Sequence, residues 1–260
     1  MKTRAITREV GTSLADCLLT FLEREPIDVE KAKAQHAAYD EALRRAGAEV
    51  EVLPADDELP DSVFVEDTAV VFDEAAVITR PGTPERQREV PAVEAALSRY
   101  RELRRITAPG TLEGGDVLRV GRAYYVGVTS RTNREGFEQF ASIVREFGYR
   151  AIPVGVSGCL HLKSAVTALD EETLLLNPSW LDAAALPNVR RVVVPAEEPF
   201  GANSLVANGV VHLSARWKRT RELVEKAGFP VTPLDVSEFE KAEAGLTCLS
   251  LIFSAQRPTL

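Results

Sequence analysis

Cys248 leads one unit of a repeated pattern while His161 and Glu113 hold matching places in two others, and the thiol, imidazole and carboxylate so supplied could perform nucleophilic catalysis. A cysteine with its ordinary pKa of about 8.5 is only a few per cent thiolate at neutral pH, so it needs proton-handling neighbours. His161 could move protons, and Glu113 could orient the ring and hold its charge. Taken singly, His161 reads as a satisfied core histidine and Cys248 as a small buried hydrophobe; their common register favours catalysis. Two further carboxylates, Glu66 and Asp67, stand side by side in DSVFVEDTAV at an otherwise apolar strand entrance. Adjacent strand residues point to opposite faces, so one of the two faces inward or the strand bulges. A buried carboxylate is costly unless a cation meets it, and either a cationic substrate or an arginine would serve. Arg86 and Arg131, read as exposed, could grip a carboxylate bidentately.

The elements that must position these groups come from a fivefold repeat. Asp67 leads TAVVFDEAAVITRP, Asp116 leads VLRVGRAYYVGVTSRT, Ser164 leads AVTALDEETLLLNP, Ser204 leads LVANGVVHLSA and Cys248 leads LSLIF. Three residues before each leader stand Phe64, Glu113, His161, Gly201 and Gly245. A period of roughly 40 to 50 residues marks a structure assembled from similar units. Each unit reads strand, strand, helix, strand, with helices expected over 29–46, 84–101, 132–147, 179–186 and 215–227. The fifth unit stops before its helix, and RAITREV at 4–10 resembles AVITRPG at 76–82. The first strand should therefore pair with the last and close a ring without free sheet edges, giving one α/β domain over residues 1–260. The segment after the first strand spaces Leu14, Leu18 and Phe21 by four and three, which predicts a helix carrying Cys17 on its apolar face.

Composition narrows the function. The chain has 260 residues, 45% of them hydrophobic, and a formal net charge of −8. That charge, with no long basic run, argues against nucleic acid and would draw in a small cationic substrate. No stretch reaches the ~20 apolar residues of a membrane span, and the N-terminus lacks a secretory pattern, which points to the cytoplasm. Three scattered cysteines and three scattered histidines give neither a disulfide framework nor metal-ligand spacing. His36 reads as a surface or packing residue, His212 lies away from a leading position, and Cys159 is the rival nucleophile. An apolar outer helix face could be core or the interface of a homodimer.

FVEDTAVV, LEGGDVL, SRTNREG, GCLHLKS and GLTCLS together resemble dimethylarginine dimethylaminohydrolase, of the guanidine-modifying pentein superfamily. The resemblance implies a five-bladed α/β propeller of pseudo-fivefold ββαβ repeats. It implies Cys248 as nucleophile, His161 as general acid and base, and Glu113 as its partner. Asp67 and Glu66 would bind the guanidinium region, Asp61 the substrate amino group, Arg86 with Arg131 the substrate carboxylate, and Leu14 would cover the entrance. The implied reaction hydrolyses N-methylated arginines to citrulline and a methylated amine through a covalent cysteine adduct, with no metal or organic cofactor. Arginine deiminases typically carry an acid two residues beyond the catalytic histidine, where this chain has Lys163. Arginine deimination, amidino transfer and a non-catalytic binding role on the same fold are the alternatives.

Overall fold

The computed structural model describes residues 2–255; residues 1 and 256–260 of the expected domain lie outside the described residues. In chain order the elements are β1 (Thr3–Arg8), α1 (Val29–Arg45), β2 (Ala48–Leu53), β3 (Ala69–Val71), β4 (Ala75–Ile78), α2 (Val90–Leu97) and β5 (Glu102–Arg105). They continue with β6 (Val117–Val120), β7 (Ala123–Val128), α3 (Arg134–Glu146), β8 (Arg150–Gly155), α4 (Leu162–Ala165), β9 (Val166–Ala168), β10 (Thr173–Leu176) and β11 (Arg190–Val193). The last are β12 (Ser204–Ala207), β13 (Val210–Ser214), α5 (Lys218–Lys226), β14 (Val231–Leu234), α6 (Ser237–Glu240) and β15 (Leu251–Ser254). Among the described residues five three-stranded sheets result, in each of which an antiparallel pair, a hairpin in all but the β1–β15 sheet, is joined by a parallel third strand. A parallel partner requires a crossover, which the helices provide in four of the five blades.

The ring closes as the repeat predicts. β1 pairs antiparallel with β15, from Thr3 opposite Ser254 to Ile6 opposite Leu251, and parallel with β2. The architecture is a five-bladed α/β propeller in which the pairing of β1 with β15 completes the fifth blade; each three-stranded blade keeps two edge strands, so the ring closes without removing the sheet edges. Among the described residues no helix is long and apolar enough to cross a membrane.

Three helical expectations are corrected. Within 84–101 a 3-10 turn over Glu85–Glu89 precedes α2, because Pro91 is tolerated only in the first turn of an α-helix. Over 179–186 no helix forms; Asn177 caps a single 3-10 turn at Pro178–Trp180, and Leu181 then bridges to Val156. After β1 only Thr12–Asp16 is helical, and 17–28 is a loop. The reason is competition for backbone donors: the N–H groups of Leu18, Thr20, Phe21 and Leu22 go to the carboxylates of Asp61 and Glu243 instead of to helical carbonyls.

The repeat register has a backbone cause. Each leading residue donates its N–H to the carbonyl three before it in four of the five units: Asp67 to Phe64, Asp116 to Glu113, Ser164 to His161 and Cys248 to Gly245, at 3.4, 3.0, 3.0 and 3.3 Å. The same short turn thus starts four blades, and these turns pack beside one another near the ring's axis. Packing from α1 fixes the turn that carries Cys248. Tyr39 is fully buried in a cluster with Leu14, Phe64, Phe239 and Leu249, donates to the Leu246 carbonyl at 3.0 Å and meets Ser250 Oγ at 2.6 Å. Tyr39→Phe should lower unfolding stability by about 1–2 kcal/mol, since it strands a buried acceptor without creating a cavity. Urea denaturation checks this, and an unchanged midpoint would contradict it.

Candidate active site

The short turns place Asp67, Glu113, His161 and Cys248 at one end of the axis, and backbone spacing there is tight. A Cβ on Gly115 would fall 2.6 Å from His161 Nδ1 and 2.9 Å from Asp67 Oδ1, and one on Gly114 would fall 2.0 Å from the Glu66 carbonyl. The two glycines of LEGGDVL therefore let a strand entrance approach the imidazole and carboxylate without a side chain between them.

His161 Nε2 lies 2.6 Å from Glu113 Oε2 and 3.9 Å from Asp67 Oδ1. Glu113 Oε1 also accepts from the Gly82 N–H at 3.0 Å. Asp67 accepts from the Gly115 N–H at 3.0 Å and from Arg86 Nη1 at 2.7 Å. Burial raises the Asp67 carboxyl, but His161, Arg86 and the Gly115 N–H outweigh it and hold it at about 2. Burial likewise opposes ionisation of His161, yet Asp67 and the bond to Glu113 push it up to about 9, so the ring is an imidazolium at neutral pH. Cys248 is driven the other way: burial first, then the negative charges of Glu66 and Asp67, raise its thiol to about 12. The site therefore holds a neutral thiol beside an imidazolium and two carboxylates.

Cys248, His161, Asp67, Asp61, Arg86 and Arg131 all line one cavity of about 20 Å3, close to the room one water needs. Glu66 is not among its lining residues. It faces a cavity of about 350 Å3 with Lys163, Thr167 and Ser204 and pairs with the Lys163 ammonium. Its Oε2 is buried without a hydrogen-bond partner. The two arginines expected at the surface are buried. Arg86 is spent on protein acceptors: Asp67, both oxygens of Glu89 at 3.1 and 3.0 Å, and the Phe64 carbonyl at 3.3 Å. Arg131 is less committed, donating to the hydroxyls of Thr20 at 2.8 Å and Thr83 at 3.4 Å, with Glu113 at 3.6 Å. Asp61 is buried and accepts the Leu18 N–H at 3.1 Å; burial raises its carboxyl above the ordinary range.

Leu14 does not cover the entrance; it is 1% exposed in the core beneath the loop, and Leu18 lines the cavity in its place. Cys159 is buried, bonded to the His161 carbonyl, and does not line that cavity. Its thiol is pushed up to about 12, mainly by burial. Sequence reasoning gave no role to Asp116 or Glu89. Asp116 accepts from the Leu162 N–H at 3.0 Å and Thr129 Oγ1 at 2.7 Å, fixing the start of α4 directly after His161. Burial raises Asp116 to about 6 and Glu89 to about 7. The signal for Asp116 was its leading position; for Glu89 there was only its three-residue spacing from Arg86.

Asp67, Glu113 and His161 have ligand atoms within 4.8 Å of one another and could hold a metal ion. Arg86 and Arg131 already reach the same carboxylates, so a metal would compete with these cations.

The family model for N,N dimethylarginine dimethylhydrolase, eukaryotic, matches residues 12–185. The chain is 41% identical to N(G),N(G)-dimethylarginine dimethylaminohydrolase of Streptomyces coelicolor over 251 residues, covering 95% of this chain and 96% of that protein. It is 36% identical to the enzyme of the same name from Pseudomonas aeruginosa over 250 residues, covering 95% and 98%. A solved structure of the Pseudomonas aeruginosa protein, a cysteine-to-serine mutant complexed with citrulline, superposes with a TM-score of 0.92 over 97% of this chain and all of that one, at 34% identity. The fold is that of the penteins, and the chain belongs to the dimethylarginine dimethylaminohydrolase family.

The coupling between His161 and its carboxylates is measurable in the free protein. By NMR the His161 ring should titrate near pH 9, and Glu113→Gln should bring that midpoint down by roughly a unit or more. A ring that titrates at its ordinary value in both proteins would contradict the geometry.

Proposed function

We propose that this protein hydrolyses N-methylated arginines to citrulline and a methylated amine. The observation that carries the reading is the convergence of Cys248, His161 and Asp67 on one cavity, with Glu113 bonded to the ring. A guanidinium stays protonated at any relevant pH, so it needs a fixed carboxylate, and Asp67 supplies an ionised one at this cavity. The arrangement can also use the substrate's charge. Burial and the charges of Glu66 and Asp67 hold the Cys248 thiol protonated, and a cation beside the sulfur offsets both effects and favours loss of the proton to solvent.

The Cys248 thiolate then attacks the central guanidino carbon, while the imidazolium of His161 gives its proton to the departing methylated amine as the carbon–nitrogen bond breaks. An amidino-thioether remains on the sulfur. The neutral His161 next takes a proton from water, and the resulting hydroxide adds to the same carbon. Collapse expels the thiolate and leaves citrulline. Glu113 orients the ring throughout and stabilises it whenever it is protonated, and Asp67 keeps the guanidinium in place.

The substrate's backbone end is assigned to Asp61 for the ammonium and Arg131 for the carboxylate. Arg131 donates to neutral hydroxyls that a carboxylate can replace. Arg86 is assigned a different part from the one the family resemblance implies: its donors already hold Asp67 and Glu89, so it positions the guanidinium-binding carboxylate. Lys163 bears on the choice of substrate. It pairs with Glu66 outside the cavity that Cys248 and Asp67 line, and it stands two residues beyond His161, where an acid would offer an acceptor to an unmethylated guanidinium nitrogen.

Turnover of asymmetric dimethylarginine, monomethylarginine and arginine, with products identified by mass spectrometry, tests the reading. We expect citrulline with dimethylamine or methylamine, poor turnover of arginine, and a fall of at least about a thousand-fold in Cys248→Ser. Preference for arginine, or near-normal turnover by Cys248→Ser, would overturn it.

A further inference from the structure

The loop that roofs the site is tied to the body by two carboxylates of very different grip. Asp61 accepts one backbone N–H, that of Leu18, at 3.3 and 3.1 Å. Glu243 accepts three in succession. The Thr20 N–H reaches both of its oxygens at 2.9 Å, the Leu22 N–H reaches Oε1 at 2.5 Å, and the Phe21 N–H bonds to the same oxygen. Three consecutive amides converging on one carboxylate form a concave anion-binding turn. Glu243 itself has φ of +58°, a backbone conformation that residues with side chains rarely adopt and that often marks a functional constraint. It also lines the cavity shared by Cys248, His161 and Asp61.

We propose that Glu243 is a positioning residue, a clasp that holds residues 20–22 down and thereby keeps Leu18 over the reacting centre. The groups that retain the loop divide by strength. A substrate's ammonium and carboxylate would compete with Leu18 for Asp61 and with Thr20 for Arg131, because those contacts are single and in part long. The Glu243 contacts are short and multiple, and a backbone ammonium would have to displace three N–H donors to take them. Glu243 therefore stays on the loop while Asp61 and Arg131 change partners, so the roof can admit substrate without losing its anchor. Its carboxylate acts on the reaction only through where the loop lies.

Two measurements on Glu243→Gln test this. Amide hydrogen exchange in the free protein should accelerate at Thr20, Phe21 and Leu22 by roughly ten- to a hundred-fold while the strand amides keep their rates. In turnover, kcat/KM should fall about ten-fold, mostly through KM, because a looser roof weakens the closed complex before it limits chemistry. That fall should be equal for dimethylarginine and for its analogue lacking the α-amino group. Unchanged exchange at the three amides would overturn the proposal. So would a loss confined to the substrate that carries the amino group, since Glu243 would then be a ligand for the ammonium. The kinetic arm presupposes the hydrolytic reading and the exchange arm does not, so the two can fail separately. Glu243→Asn, which suits a positive φ better, supplies the same readouts if the glutamine variant does not fold.

Discussion

Everything at this site follows from the burial of carboxylates at one end of the propeller axis. Asp67, Glu113, Glu89 and Asp116 are each almost wholly removed from solvent. A buried carboxylate that lacks a cation or strong donors is so costly that it takes up a proton instead. The structure meets that cost unequally. Arg86 and His161 keep Asp67 and Glu113 ionised, whereas Asp116 and Glu89 are raised towards neutrality. Cys248 lies beside these acids, and burial first, then the charges of Glu66 and Asp67, holds its thiol protonated. In the reaction proposed above, a cationic substrate would be what favours the thiolate, so Cys248 would stay unreactive until the site is filled.

The propeller explains how separate blades can be held to such tolerances. Glu113, His161 and Cys248 come from different blades, but each belongs to the same kind of short turn, anchored by the same three-residue backbone bond. Turns at equivalent places of a closed ring bring their side chains to a common end of the axis, Glu113 and His161 from the start of their turns and Cys248 from the end of its own, and the pairing of β1 with β15 closes that ring. The glycines at 114 and 115 remove the last steric obstacle. Precision at the site is thus a property of backbone packing around the axis, with the outer helices acting through contacts such as the Tyr39 hydroxyl.

Much of this was legible in the sequence, since the repeat carries its own geometry. A polar leader before an apolar hairpin, met five times, gave the number of blades, the pairing of the terminal strands and the shared register of Glu113 and His161. What stayed hidden depended on partners far along the chain. Leu14, Leu18 and Phe21 have helical spacing, but carboxylates at 61 and 243 claim the backbone of that segment and turn it into a loop, which moves Leu18 over the cavity and sinks Leu14 into the core. Arg86 was read as exposed because its neighbours are charged, yet those charges are its buried partners. Glu66 stood next to Asp67 in sequence, and alternation alone could not say that Lys163 would claim it.

The most direct test of the electrostatic account is the ultraviolet absorbance of the Cys248 thiolate, with Cys248→Ala as the blank. The thiolate band should be absent from the free protein at neutral pH and should appear when a guanidinium compound that is not turned over binds the site. A thiolate fully present without any ligand, or a thiol that stays protonated when the cation is bound, would contradict it.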